Sequence, residues 1–260
     1  MRITSWNCNA SPSITSAVTA ARIYQAKVQG LAALGSDITV FQEMPNPCIP
    51  NNPHAVWSGV RMSRGIAVRT SAAYTVALLP DLPPSRSLLP LQINGPTEFL
   101  LLAVCSCPER PSPRTYVEEV ATSIARCRAH MALLPTVIVG DFNSNSQFDS
   151  VTGQHNHAAL VQQLADRDGL RSCYHHFTGA SQGNEPDATY YHYRHADKPF
   201  HIDYCFAPIA WRIEHVTIGR HADWASQSDH CPLTVDLGVP SDDHDHEMRS
   251  FTHDSDRPIA

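Results

Sequence analysis

Five stretches of this sequence end an apolar run on a side chain able to do chemistry: "SWN" at Asn7, "FQE" at Glu43, "GDFN" at Asp141 and Asn143, "HID" at Asp203, and "SDH" at Asp229 and His230. Taken singly, each has an ordinary structural use, since Asp and Asn favour turns and cap helices. Taken together they form a set of carboxylates, amides and one imidazole. Phosphodiester hydrolysis assisted by a hard cation needs that set. Carboxylate and amide oxygens suit Mg²⁺ or Mn²⁺, and the ion offsets charge on the phosphate. A carboxylate orients and deprotonates the attacking water, and a cationic imidazole stabilises the transition state. An Asp beside the His would fix its tautomer and keep the ring protonated.

These residues need strands to carry them to one place. "RITSWNCN" alternates as a strand, with Ile3 and Ser5 on one face and Thr4 and Trp6 on the other, and "DITVFQE" reads as a second strand ending in Glu43. Between them a helix is expected over about residues 14–34, with Val18, Ile23, Tyr24, Val28, Leu31 and Leu34 at three- and four-residue spacing and Gly35 closing it. "RGIAVRT" and "AYTVALLP" read as a pair of strands, and "EFLLLAVCS" as a buried one. The clearest helix is "TYVEEVATSIARCRAHMALL", whose Val117, Val120, Ile124, Cys127 and Met131 share a face, with Glu118 and Glu119 where the helix dipole favours anions. After the strand "PTVIVGDFN" come a helix "NHAALVQQLADRDG", an irregular aromatic and His-rich stretch from Tyr174 to His201, and the strands "HIDYCFAP", "RIEHVTIG" and "SDHCPLTVDL". "MPNPCIPNNP" and "CPERPSPR" are loops. Strands outnumber helices, which favours packed sheets with helices outside.

In order and content the motifs resemble the endonuclease/exonuclease/phosphatase superfamily, which includes deoxyribonuclease I and enzymes of the exonuclease III type. They stand as "WN" at 6–7, "QE" at 42–43, "GDFN" at 140–143, "IDY" at 202–204 and "SDHCPL" at 228–233, across residues 1 to about 237. The resemblance implies an α/β fold, a four-layered sandwich of two mixed β-sheets packed face to face with helices on both outer faces. It implies that Asn7 and Glu43 bind Mg²⁺ or Mn²⁺, with Glu43 the principal ligand and Asp229 at the metal or water side. Asp141 would activate the water, Asn143 would hold the phosphate or attacking oxygen, Asp203 would anchor the catalytic histidine, and His230 would contact the scissile phosphate. Where many members place a His or Tyr after the corresponding buried strand, this chain has Cys105, Ser106 and Cys107. Either Arg64, Tyr116 or a later histidine fills in for that second phosphate contact or the substrate needs less help, and Cys105 is expected in the core.

The chain reads as one catalytic domain over residues 1–238, followed by a polar, disordered tail over 239–260 whose composition cannot offset the entropy of ordering. A hydrophobic content of 42% against 17% charged residues describes a chain that buries a core. No apolar run approaches the roughly 20 residues of a membrane span. The eight cysteines are scattered with no regular spacing, which favours reduced thiols and a cytoplasmic location, and they lack the paired CxxC of a structural zinc site, which favours buried free thiols. A net charge of −6 with no Lys/Arg-rich run leaves only Arg61, Arg64, Arg69, Arg110, Arg114, Arg194 and Lys198 as candidate backbone contacts. The expected partner is nucleic acid, DNA ahead of RNA, or a small phosphodiester, handled by a monomer. A phosphatase or phosphodiesterase acting on a small-molecule or lipid phosphoester is the alternative, and an inactive binding module a further one. His157 and His201 are the candidates for a second metal site among the histidines, which include His155, His175, His176, His192 and His195. "TYYHYR", at 189–194, suits either base stacking or a strand with one buried face.

Overall fold

The structure is a computed structural model that describes residues 1–10, 13–14, 16–47, 52–60, 64–107, 115–150 and 156–240. One sheet contains β1 (Arg2–Asn7), β2 (Ile38–Met44), β3 (Ala55–Val60), β4 (Arg64–Thr70), β13 (Arg212–Ile218) and β14 (Leu233–Gly238), in the order β13-β14-β1-β2-β4-β3. The other contains β5 (Thr75–Leu78), β6 (Leu88–Asn94), β7 (Phe99–Cys105), β8 (Thr136–Asp141), β9 (Leu170–Ser172) and β12 (Asp203–Pro208), in the order β5-β6-β7-β8-β12-β9. Both are mixed, because β1 runs parallel to β2 and β7 parallel to β8 while their other neighbours are antiparallel. A short hairpin joins β10 (Tyr190–Tyr191) to β11 (Pro199–Phe200).

The period-two alternation of the strands divides the core into layers. Ile3, Val40, Val68, Leu101, Ala103, Val137, Val139 and Cys205 fill the space between the sheets. The intervening residues face outward. Leu100, Leu102, Val104, Ile138 and Phe206 meet Val117, Val120 and Ile124 of α2 (Tyr116–Met131) and Leu160 and Leu164 of α3 (His157–Asp166). On the opposite face, Trp6, Phe41, Met44 and Ala67 pack with Tyr24 and Leu31 of α1 (Ala17–Leu31). The result is the expected sandwich of two mixed sheets between helices. Two shorter helices are α4 (Cys173–Thr178) and α5 (His221–Trp224).

Caps fix the helix ends. Thr115 and Glu118 form a reciprocal capping box at the start of α2, which satisfies two amide donors that lack intrahelical partners. The helix expected over residues 14–34 is shorter, α1 being followed by a 3₁₀ turn Ala32–Leu34 that Gly35 ends in the left-handed conformation. Val18, assigned to its apolar face, is 79% exposed, and Ala20 is buried in its stead.

Two sequence expectations are corrected. "RGIAVRT" and "AYTVALLP" do not pair with each other: β4 lies between β2 and β3, and β5 joins the other sheet beside β6. The supposedly irregular stretch from Tyr174 contains α4 and the β10/β11 hairpin. Strand β6 carries Pro90 in its interior, a residue that argues against a strand when read locally. Arg61, Arg110, Arg114, His155, Cys48 and the segment 241–260 lie outside the described residues. Among the described residues, no helix is long and apolar enough to cross a membrane, and seven cysteines are free, five of them buried.

Candidate active site

On β1, Asn7 continues the inward-facing series of Ile3 and Ser5, and on β8, Asp141 continues that of Val137 and Val139. Cys105 and Asp203 stand at the corresponding ends of β7 and β12, and each is a register partner of Asp141. The inter-sheet core therefore changes from apolar to polar at one end. Glu43 would not reach this place by simple alternation, since Phe41 and Met44 both face α1. A register irregularity between Phe41 and Met44 separates them, and Glu43 has a positive φ of 49°. Such a bulge re-aims a side chain at the cost of local strain. Asn143 repeats the device with a φ of 52° just beyond β8.

Gly140 permits the close approach of β7 and β8. Its φ is +145°, and a Cβ there would come within 2.0 Å of the Val104 carbonyl oxygen. Only glycine fits that position.

The buried side chains form one hydrogen-bonded network. Asn7 Nδ2 donates to Asp141 Oδ2 at 2.9 Å, joining the two sheets, and the Asn143 amide donates to Asp141 Oδ1 at 2.8 Å. His230 Nδ1 donates to Asp203 Oδ2 at 2.9 Å, while its Nε2 lies 4.0 Å from Asp141 Oδ2. Ser228 Oγ donates to the Asn7 carbonyl at 2.7 Å and accepts from the His230 amide at 3.1 Å. Trp6 Nε1 donates to the His230 carbonyl at 2.9 Å, and the Tyr190 ring packs 4.7 Å from the imidazole.

Electrostatics follow from this crowding. Burial by itself would lower the basicity of His230, but the charge and hydrogen bond of Asp203, with Asp141 and Asp229, outweigh it and raise the pKa to about 9. The ring is an imidazolium at neutral pH. Burial and the neighbouring Asp203 push Asp141 up, against the opposing pull of His230 and Asn7. Burial likewise raises Glu43, although Arg64 and His230 offset part of the effect. Arg64 Nη1 lies 3.0 Å from Glu43 Oε2, without the geometry of a hydrogen bond. Cys105 is half-buried, packed against the inter-sheet core and beside Asp141 and Glu43, and burial and these two charges keep its thiol neutral.

Asn7, Glu43, Asp141, Asn143, Asp203, Asp229 and His230 all belong to this end of the sandwich. Asp229 acts on Glu43 and His230 through its charge, and its carbonyl accepts from the Tyr191 amide. The donor set fits a hard divalent cation. Four carboxylates (Glu43, Asp141, Asp203 and Asp229) crowd around the His230 imidazolium and the Arg64 guanidinium, with the Lys27 ammonium also acting on Asp229, and buried oxygens of Glu43 and Asp203 lack a hydrogen-bond donor. Among the described residues, the one group of three metal-ligating types with converging atoms is Asp141, Asp203 and His230. There Nδ1 is committed to Asp203, so the imidazole has only Nε2 left to offer. The carboxylate oxygens of Glu43, Asp141, Asp203 and Asp229 could hold such an ion.

His157 and His201 do not converge on a second metal group. His157 shares a hydrogen bond with Ser144 Oγ and packs on Tyr204, and burial lowers its pKa to about 4. His201 donates from Nδ1 to the Asp187 carbonyl. Ser228 and Tyr190 are site residues that sequence reasoning misses. A serine at the head of "SDHCPL" carries no chemistry that spacing reveals, and Tyr190 stands in an aromatic run with two uses.

No family model matches the sequence, and no curated protein sequence does either. Solved structures do match its fold. The 3'-5' exonuclease NExo from Neisseria meningitidis aligns with a TM-score of 0.64 at 21% identity, covering 92% of this chain and 100% of that one. The AP endonuclease LMAP from Leishmania major gives a TM-score of 0.63 at 11% identity over 92% and 88%. The human Nocturnin catalytic domain, solved with a bound sulfate anion, gives 0.63 at 14% over 92% and 94%. The two mixed sheets, their flanking helices and these alignments along nearly the whole chain agree: the protein has the endonuclease/exonuclease/phosphatase fold.

Proposed function

We propose that the protein is a divalent-metal-dependent phosphoesterase that hydrolyses phosphodiester bonds, with nucleic acid, DNA ahead of RNA, as its substrate class. The observation that carries this reading is the buried network linking Asn7, Asp141, Asp203 and His230 across the ends of both sheets. Asn7, Glu43 and Asp229 would hold Mg²⁺ or Mn²⁺, and such an ion supplies Lewis-acid stabilisation of phosphate charge. Asp141 aligns the attacking water and takes its proton; its raised pKa brings the base nearer to neutrality, where proton transfer is efficient. His230 holds its Nδ1 proton against Asp203, leaving Nε2–H to donate to a non-bridging phosphate oxygen. Asn143 offers its side-chain amide to the phosphate or the attacking oxygen, from a turn whose backbone N–H is anchored on Asp141.

A small phosphodiester is the second reading. A groove of about 370 Å³ beside Asn143, flanked by Tyr116 and Phe148, favours it, as does the net charge of −6. A panel of duplex DNA, single-stranded DNA, RNA and bis(4-nitrophenyl) phosphate, each with Mg²⁺, Mn²⁺ or EDTA, tests both. Metal-dependent cleavage of a polymer supports the nuclease reading. Turnover of the small diester alone supports the second, and no turnover of any member counts against both.

A further inference from the structure

We infer that Thr189 is a positioning residue for the Asp203–His230 pair, a proposal that rests on the phosphoesterase reading above. Thr189 is fully buried, and its polar groups are spent on both partners. Its Oγ1 accepts from the amides of Ile202 and Asp203, each at 3.0 Å. Its carbonyl accepts from the Cys231 amide at 2.7 Å, and its own amide donates to the Phe200 carbonyl at 3.0 Å. The first pair of bonds fixes the start of β12, from which the Asp203 carboxylate projects. The carbonyl fixes the turn that presents His230. Tyr191 donates to the Asp229 carbonyl at 2.7 Å, and Tyr190 is the bridge partner of His230, so the imidazole-bearing residue is clamped on both sides.

The segment that delivers Thr189 is itself tethered. Glu185 meets His175 Nε2 at 2.9 Å and accepts from Asn145 Nδ2 at 3.1 Å, while Tyr174 Oη donates to Asp187 at 2.8 Å. Thr189 is thus the point where a braced strap ties the Asp203 strand to the His230 turn. The hydroxyl holds the Asp203 side of the Nδ1–H to Oδ2 bond and the carbonyl holds the His230 side, so removing the hydroxyl frees the acceptor end of that bond.

Two readouts test this. In the wild-type chain, hydrogen exchange should show the Ile202 and Asp203 amides protected to the level of the β12 core; exchange at the rate of exposed loops would overturn the proposal. In variants, Thr189→Val deletes the acceptor at constant shape and Thr189→Ser retains it. With a phosphodiester that the wild type cleaves, Thr189→Val should lower kcat by about 10- to 100-fold, as expected for a misplacement near 1 Å, with KM within about threefold. Thr189→Ser should recover kcat. Wild-type kcat in the valine variant, or failure of serine to recover it, would overturn the assignment. The downfield Nδ1 proton signal of His230, present in the wild type and the serine variant and lost in the valine variant, decides the same point without turnover. If the wild type cleaves no phosphoester, the functional reading fails, while exchange and this signal still decide the role of Thr189.

Discussion

Asp141 and Asp203 are register partners on adjacent antiparallel strands, so the pleat places two buried carboxylates on the same face of one sheet. Like charges that close cannot both be accommodated without a cation nearby, and His230, bonded to one and 4.0 Å from the other, supplies it. Asp203→Asn removes the largest influence raising the imidazole pKa. The His230 pKa in metal-free protein, read by NMR, should fall from about 9 by more than one unit. Turnover should drop by about 10²- to 10⁴-fold. A His230 that still titrates near 9 would show that Asp203 does not hold its proton.

Much of the architecture was legible because the strands obey a period of two: Ile3, Ser5 and Asn7 share a face in the sequence and in the fold. Glu43 was legible as a residue but not as a position, since alternation puts it with Phe41 facing α1 and only the bulge redirects it. Pairing was the weakest inference. β4 and β5 are neighbours in sequence yet join different sheets, a choice made by partners far along the chain that local pattern does not encode. The histidines misled because a buried neutral imidazole and a metal ligand use the same residue type; His157 is packed against Tyr204 and bonded to Ser144.

Arg64 competes for the Glu43 carboxylate. If Glu43 holds the cation, Arg64→Ala should tighten Mn²⁺ binding by about fivefold, the equivalent of about 1 kcal/mol for a partly exposed ion pair. Isothermal titration on the otherwise intact chain measures it. Weaker binding would mean that the guanidinium supports the site rather than competing within it.

His157 is buried and neutral, with a pKa lowered to about 4. The unfolded chain therefore binds more protons between that value and the ordinary pKa near 6.5, and stability from this group is complete above that range and lost as pH falls through it. Relative to His157→Phe, whose substitution cost is constant with pH and drops out of the difference, the wild type should lose up to about 3 kcal/mol between pH 7 and pH 4. Urea melts of both proteins across that range give the difference. A constant difference would contradict a buried neutral His157.

Ser228 satisfies the Asn7 carbonyl and the His230 amide at once, in a fully buried position. Ser228→Ala leaves both unpaired, so stability should fall by about 1–3 kcal/mol in urea melts. Unchanged stability would mean that water or a shifted backbone replaces the hydroxyl.

A metal-dependent phosphodiester site built on Asp141 and His230 should cut a DNA backbone. Nicking of supercoiled plasmid by purified protein tests it most directly, with Mg²⁺ or Mn²⁺, an EDTA control, and the Asp141→Asn and His230→Ala variants alongside. Nicking should need the metal and be lost in both variants while their melting curves remain cooperative. Nicking that survives EDTA, or that persists undiminished in either variant, would contradict the assignment of that site.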